Sequence, residues 1–250
     1  MPNTAIIPAR GGSKRVPLKN IKDFDNIPML IRTIRVLKES NCFSQIIVST
    51  DSELVAECAL SEDDVSVFWR NSSLANDSAN TVDVIANVIS EQKISETENI
   101  CCVYAPNPFL HVGAIQLGLS GLEMQPTPDY VSAVTSFPFP IQRSLKFTSG
   151  GDLLVMAQPE HILTHSQNLE QHFHETAQFW WAKASTWAEK KPMQLNMRGI
   201  YVPRWMTQDI DTLEDWKQAE LRWKILELSG DLKKYVFSEK NIVNQDNFSE

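Results

Sequence analysis

Four cations, Arg10, Lys14, Arg15 and Lys19, follow closely on a short apolar run at residues 4–8. Gly11 and Gly12 break that run into a loop. Glycine lets backbone N–H groups turn toward an anion at close range, and basic side chains neutralise its charge. The pattern suits a polyphosphate; the other reading is a basic surface loop. A second group lies far along the chain. Asp209 and Asp211 are two apart, so in extended backbone both carboxylates face one way. Two hard oxygen donors, with positions left open for phosphate and water, suit Mg2+. Asp211 also has the place of a helix N-cap, with Glu214 in the capping-box position, and the two roles are compatible.

Other residues invite chemistry less strongly. His165, His172 and His174 have no cysteine nearby, and spacings of seven and two residues fit no zinc motif, so they read as polar contacts. Phe179, Trp180 and Trp181 suit the wall of a sugar-like substrate, or a core inside a helix-like run. Arg143 suits a substrate carboxylate, which guanidinium binds through two parallel hydrogen bonds, or equally a surface ion pair. No GxSxG, GxGxxG or GxxxxGK[ST] occurs, which removes the main sequence support for a Rossmann dehydrogenase or a P-loop hydrolase.

Groups so far apart need a scaffold. Residues 4–8, 45–49, 65–68, 100–104 and 130–136 read as strands, and 28–40, 52–60, 81–90, 113–123 and 213–228 as helices. Strand and helix alternating over short connections predict an α/β protein whose parallel sheet is covered by helices. The cationic loop then sits at a strand's C-terminal end, where open α/β sheets bind ligands. The run at 100–104 shows no alternation, as a strand buried on both faces should, and Pro106 and Pro108 stop it. In the helix at 213–228, Leu213, Trp216, Ala219, Trp223 and Leu226 share one face. From about 150 to 195 the character changes, with four of the five histidines and the aromatic triplet. That stretch reads as an excursion for substrate or dimer contacts within a single domain over 1–230. Residues 231–250 read as a polar tail adding little to the core.

The bulk composition narrows the partners. With 42% hydrophobic and 22% charged residues the chain is ordinary for a globular protein, and 250 residues suffice for one large domain. A formal net charge of −8 makes the basic loop a local feature, which argues against nucleic acid or an anionic membrane and for a small, strongly anionic ligand. Cys42, Cys58, Cys101 and Cys102 form no CxxC pair and read as free, buried thiols. No apolar stretch has membrane-spanning length, and Arg10 interrupts the N-terminus too early for a signal peptide, so a cytoplasmic protein is expected.

Taken together, the motifs resemble a known family. Ile6-Ile-Pro-Ala-Arg-Gly-Gly-Ser-Lys-Arg15 with Lys19-Asn20 resembles the signature of the CMP-sialic acid synthetases, the acylneuraminate cytidylyltransferases. Val48-Ser-Thr-Asp51, Asp77-Ser-Ala-Asn-Thr-Val-Asp83 and Gln208-Asp-Ile-Asp-Thr212 follow in the family's order. The stretches from Tyr130 to Arg143 and from Ser166 to His174, with Gln178-Phe-Trp180, are similar to the pseudaminic acid cytidylyltransferase branch.

The resemblance implies a Rossmann-like nucleotidyltransferase fold, usually homodimeric, with the excursion reaching the partner's site. It implies attack of a nonulosonic acid's anomeric hydroxyl on the α-phosphate of CTP, with Mg2+ as cofactor and pyrophosphate released. By position, Arg10, Ser13 and Lys14 would bind the triphosphate, with Ala9, Gly11, Lys19 and Asp77 completing the nucleotide site. Asn20 and Arg70 would lie near the nucleoside, Asp209 and Asp211 would hold the metal, and Arg10, Lys14 and Asp211 would be catalytic. Arg143, Gln167, Gln178, Phe179 and Trp180 would meet the sugar acid.

Two departures bear on which sugar. Tyr104-Ala105-Pro106 stands where sialic acid synthetases carry a glutamine, which the pseudaminic branch also lacks. His165 and Asn168 stand where that branch carries arginine and aspartate. The alternatives are another sugar acid (legionaminic, N-acetylneuraminic or Kdo) or a CTP-binding module without turnover.

Overall fold

A computed structural model describes residues 2–71, 74 and 80–244. Seven strands form its main sheet: β1 (Asn3–Pro8), β2 (Gln45–Thr50), β3 (Val65–Trp69), β4 (Asn99–Val103), β5 (Tyr130–Ser136), β6 (Phe173–Lys183) and β7 (Met197–Tyr201). Their order across the sheet is β7-β5-β6-β4-β1-β2-β3. All pairings are parallel except those of β6, which runs antiparallel to both β4 and β5. The expected α/β class with a mostly parallel sheet is what the chain adopts.

Period-two alternation along the central strands builds two cores, one on each face. Ala5, Ile7, Val48, Cys101 and Val103 point into the larger one. They meet α1 (Met29–Glu39), α2 (Glu53–Leu60), α4 (Val112–Glu123) and α6 (Leu213–Ser229) there. Ile6, Ile47, Ile100 and Cys102 point the other way, against α3 (Thr81–Glu91) and α5 (Ala184–Ala188). All four cysteines are free; Cys101 and Cys102 are buried, whereas Cys42 and Cys58 are only half-buried. On α6, Trp216, Ala219 and Leu226 are buried as the shared face requires, but Leu213 is 60% exposed because it opens the helix beyond the core's edge.

Three expectations need correction. Phe179, Trp180 and Trp181 lie in a strand, not a helix, and each is at most 1% exposed. Phe179 and Trp181 enter the larger core and Trp180 the smaller, so none of them offers a surface to a sugar. Gly118 on α4 makes room for the pair, since a Cβ there would come within 2.7 Å of Trp181 Cδ1. The excursion is also displaced from its expected bounds. The chain leaves the sheet after β5, forms short 3-10 turns and a two-stranded ribbon (Leu145–Phe147 with Leu154–Met156), and re-enters at Phe173.

The described part of the tail, residues 231–244, is also part of the core's covering. After α7 (Asp231–Lys234), Ile242 is 4% exposed and bridges Ile200 of β7, while Val243 N–H donates to the Gly199 carbonyl at 2.9 Å. Asn241 Nδ2 donates to the Tyr201 carbonyl at 3.0 Å. An uncovered edge strand presents unpaired backbone groups, and this strap satisfies several of them.

Candidate active site

The loop leaving β1 is held from three directions. Ala9 N–H donates to the Ser49 carbonyl at 2.9 Å, extending the β1–β2 ladder by one residue. Gly11 N–H donates to Asp51 Oδ1 at 2.9 Å. A side chain at Gly11 is excluded, because its Cβ would lie 2.6 Å from the Ser52 Cβ. Asn20, 7% exposed, donates through Nδ2 to the Arg10 carbonyl at 2.8 Å, and its own carbonyl takes the Leu30 N–H of α1 at 2.8 Å. The loop's ends are thus pinned to the sheet and to α1, and its cationic side chains stand between.

Those side chains line a cavity of about 510 Å³ at the C-terminal ends of the parallel strands. Arg10, Ser13, Lys14, Arg15 and Lys19 line it together with Asn20, Arg70 and Asp211. Thr81 and Val84, from the first turn of α3, and Tyr104 and Pro106, from the loop after β4, complete it. Arg70 donates to the Ser49 carbonyl at 2.9 Å. Burial pulls its guanidinium below the ordinary value, against the pull of Asp51 and with the push of Arg10. Tyr104 meets Thr81 through their hydroxyls at 2.9 Å, and burial pushes its phenol up, so it stands as a neutral hydroxyl. Thr33 of α1 donates to the Ala105 carbonyl at 2.8 Å and steadies the Tyr104–Pro106 loop from below.

Asp211 reaches this cationic wall from the far end of the chain. Its Oδ1 lies 2.9 Å from Arg15 Nη2 and 3.6 Å from Lys19 Nζ. Lys19 Nζ also donates to the Ile210 carbonyl. The cap of α6 is one residue later than expected: Thr212 caps it, with Asp215 closing the box, while Asp211 N–H only donates to Asp215 Oδ2 at 3.1 Å. The Asp211 carboxylate is therefore free of a capping duty. Burial, and then the neighbouring Asp211 charge, push the Asp209 carboxyl up, while Lys19 pulls it down. Exposed ion pairs such as Arg15–Asp211 contribute about 0–1 kcal/mol, so a cation bound at Asp211 would displace this one at small cost. Asp211 lines the cavity, and Asp209, which does not, stands near enough to feel the charges of Asp211 and Lys19; the two carboxylates fit a hard cation that would take its remaining ligands from phosphate and water. Among the described residues no group of three His, Cys, Asp or Glu could hold a metal unaided.

The remaining candidates are placed elsewhere. Arg143 sits on the excursion and donates to the Thr164 carbonyl at 2.9 Å. Gln167 lines a second cavity, of about 920 Å³, with Phe139, His172 and Val243. Gln178 is 1% exposed and donates to the Met206 carbonyl at 3.0 Å. Asp77 lies outside the described residues. The geometry adds Asp51 and Thr81 as site residues to which no role had been given, and it sets Tyr104 and Pro106, until now only a departure from the sialic acid synthetases, in the cavity wall. Asp51 and Thr81 stood inside quoted motifs, but nothing in spacing alone aimed them at the loop. No described helix is long and apolar enough to cross a membrane.

Comparison with known proteins identifies the family. Residues 4–138 match the sequence profile of the cytidylyltransferase family. The chain is 30% identical over 228 residues to a pseudaminic acid cytidylyltransferase of Campylobacter jejuni subsp. jejuni serotype O:2, covering 90% of this chain and 97% of that one. It is 30% identical over 225 residues to the N-acylneuraminate cytidylyltransferase A of Danio rerio, covering 88% of this chain and 50% of the other. Its fold is similar to a solved CMP:2-keto-3-deoxy-manno-octonic acid synthetase complexed with CTP. The TM-score is 0.67 at 13% identity, over 90% of this chain and 99% of that one. The loop signature, the cavity it lines and the similarity over nearly the whole length place this chain in the cytidylyltransferase family.

Proposed function

We propose that this protein is a pseudaminic acid cytidylyltransferase, transferring CMP from CTP to the anomeric hydroxyl of that nonulosonic acid. One observation carries the reading: a cavity facing Arg10, Lys14, Arg15 and Lys19 on one side and Asp211 on the other, in a chain similar over its length to enzymes of that name. Arg10, Ser13 and Lys14 bind the triphosphate, and Asn20 and Arg70 border the nucleoside. Asp77 completes the nucleotide site. The hydroxyl oxygen forms a bond to the α-phosphorus while the bond from that phosphorus to the bridging oxygen breaks. Pyrophosphate leaves with the electron pair, and the hydroxyl proton passes to Asp211. Positioning and charge stabilisation are most of what phosphoryl transfer asks of a protein. Asp209 and Asp211 would hold Mg2+, which would supply a Lewis acid for the phosphate oxygens and lower the pKa of the attacking hydroxyl.

The protein works as a cytoplasmic homodimer, in which Arg143 and Gln167 of the excursion meet the sugar acid bound to the partner copy. Support comes from the exposed apolar side chains Phe139, Phe147 and Leu163, which a second copy would cover. The test is pyrophosphate release from CTP and Mg2+ with pseudaminic, legionaminic, N-acetylneuraminic and Kdo acids in turn. The fastest release is expected with pseudaminic acid. Release with none of them overturns the enzyme, and a preference for another acid overturns the sugar.

A further inference from the structure

We infer that Gln178 is a positioning residue, which sets the distance between the carboxylate segment and the nucleotide cavity without touching substrate. β6 is kinked near its middle. Pairing with β5 is regular up to Glu175 and resumes only at Trp180. Between them Ala177 takes φ +51°, a left-handed conformation that a residue with a Cβ adopts only when its surroundings hold it there. Two contacts do so. Glu175 Oε2 takes the Ala177 N–H at 2.6 Å, and Asn107 Nδ2 donates to the Ala177 carbonyl at 3.3 Å.

The kink aims the next residue in two useful directions. The Gln178 carbonyl accepts the N–H of Tyr104, a wall of the cavity, at 3.1 Å. The Gln178 side chain, 1% exposed, donates through Nε2 to the carbonyl of Met206 at 3.0 Å. Met206 is itself fully buried and stands three residues before Asp209. One residue therefore holds the cavity wall with its backbone and the stem of the carboxylate segment with its side chain.

Stability alone does not explain a glutamine there. Its Oε1 is buried with no hydrogen-bond partner among the described residues, and an unmet buried acceptor is costly. Methionine fills the same volume with no such atom. A polar side chain kept at the centre of a sheet against its own desolvation is expected where it fixes a functional geometry.

The inference rests on the proposed role of Asp209 and Asp211, and its test separates the two. In Gln178→Met, deuterium uptake across residues 206–212 is expected to quicken several-fold while the melting temperature changes little, because the bond lost from the buried Met206 carbonyl is offset by removal of the unmet Oε1. Half-activating Mg2+ or kcat is expected to worsen by about ten- to a hundredfold, as when an outer-shell support of a metal ligand is lost. The KM for the sugar acid should stay within about twofold of wild type, since no substrate contact is removed. Unchanged uptake at 206–212 overturns the inference, as does a defect confined to sugar KM, which would make Gln178 a substrate contact. A fall in melting temperature with full kcat would make it merely structural and overturn the inference too. If wild-type turnover survives chelation of divalent metal, the metal reading falls instead, and deuterium uptake still decides the part played by Gln178.

Discussion

The side-chain amide of Asn20 holds the carbonyl of Arg10 at 2.8 Å, ten residues back along the same loop. The cationic segment is thereby closed on itself before any ligand arrives, so that its charges are gathered at no further conformational cost. Removing that closure should loosen the loop without touching its charges. Asn20→Ala leaves the Arg10 carbonyl without its buried partner, a loss of about 1–3 kcal/mol. The expected result is CTP binding weakened about five- to a hundredfold, measured calorimetrically, with sugar KM little changed. Unaltered CTP affinity would show the loop to be held by its other contacts alone.

Lys14 tests the cationic wall directly. Lys14→Met keeps the side chain's length and removes one charge from the cavity. Pyrophosphate release is expected to fall about 10²–10³-fold in kcat, the usual loss when one group stabilising developing charge is removed. Steady-state kinetics with CTP varied is the measurement.

Asp209 and Asp211 should separate catalysis from stability. In Asp211→Asn the exposed Arg15 pair is lost, worth about 0–1 kcal/mol, so the melting temperature should hardly move. Turnover should nonetheless collapse in both Asp209→Asn and Asp211→Asn, while CTP still binds the loop. Retained turnover in either variant would remove that residue from the metal site, and a non-catalytic CTP-binding module predicts no functional change at all.

The paired thiols of β4 make stability fall in alkali. Burial holds both Cys101 and Cys102 well above the ordinary thiol value, with the other's charge adding for Cys101 and Arg70 opposing for Cys102. In the unfolded chain they ionise near pH 8.5. The unfolded state then binds fewer protons than the folded one, so this stabilisation is complete below about pH 8.5 and is lost as pH rises. Urea unfolding from pH 7 to 10 should show the decline, at up to about 1.4 kcal/mol per pH unit for each thiol. Cys101→Ala should flatten it by one thiol's share.

Gly118 is a test of the core away from the site. Gly118→Ala presses a methyl group against Phe179 and Trp181, which stand on a strand fixed on both sides. Overpacking of this kind costs about 1–3 kcal/mol. Urea denaturation should register the loss, with kcat and KM unchanged at 25 °C.

What the sequence disclosed follows from how local each signal is. The strand at 3–8 and its loop were legible because an apolar run ends on glycines and cations within a few residues. The aromatic triplet was not. A strand buried on both faces carries no alternation, and Phe179-Trp-Trp181 matches a buried helix equally well. The C-terminal strap was missed because Leu232, Tyr235, Phe237 and Ile242 are scattered among polar residues and pack one by one. The cap at α6 slipped by a residue because Asp211 with Glu214 and Thr212 with Asp215 both satisfy the same spacing, and only the hydrogen bonds choose between them. Within the site, Asp209 and Asp211 stood out by spacing alone, and the cationic loop was readable. That Lys19 meets Asp211 was not, because their contact depends on how β1 and the segment before α6 meet across the sheet.

The antiparallel course of β6 has a consequence for how such proteins diversify. Because β5 and β6 are adjacent and opposed, with Phe173 beside Ser136, the whole of 137–172 is in topological terms one long hairpin connection. A hairpin connection can be lengthened, shortened or replaced without rethreading any crossover, since its ends stay side by side. The excursion is therefore an exchangeable cassette on a fixed nucleotide-binding frame. Swapping residues 137–172 between relatives should alter sugar preference while the loop at 9–20 and its CTP affinity stay as they are.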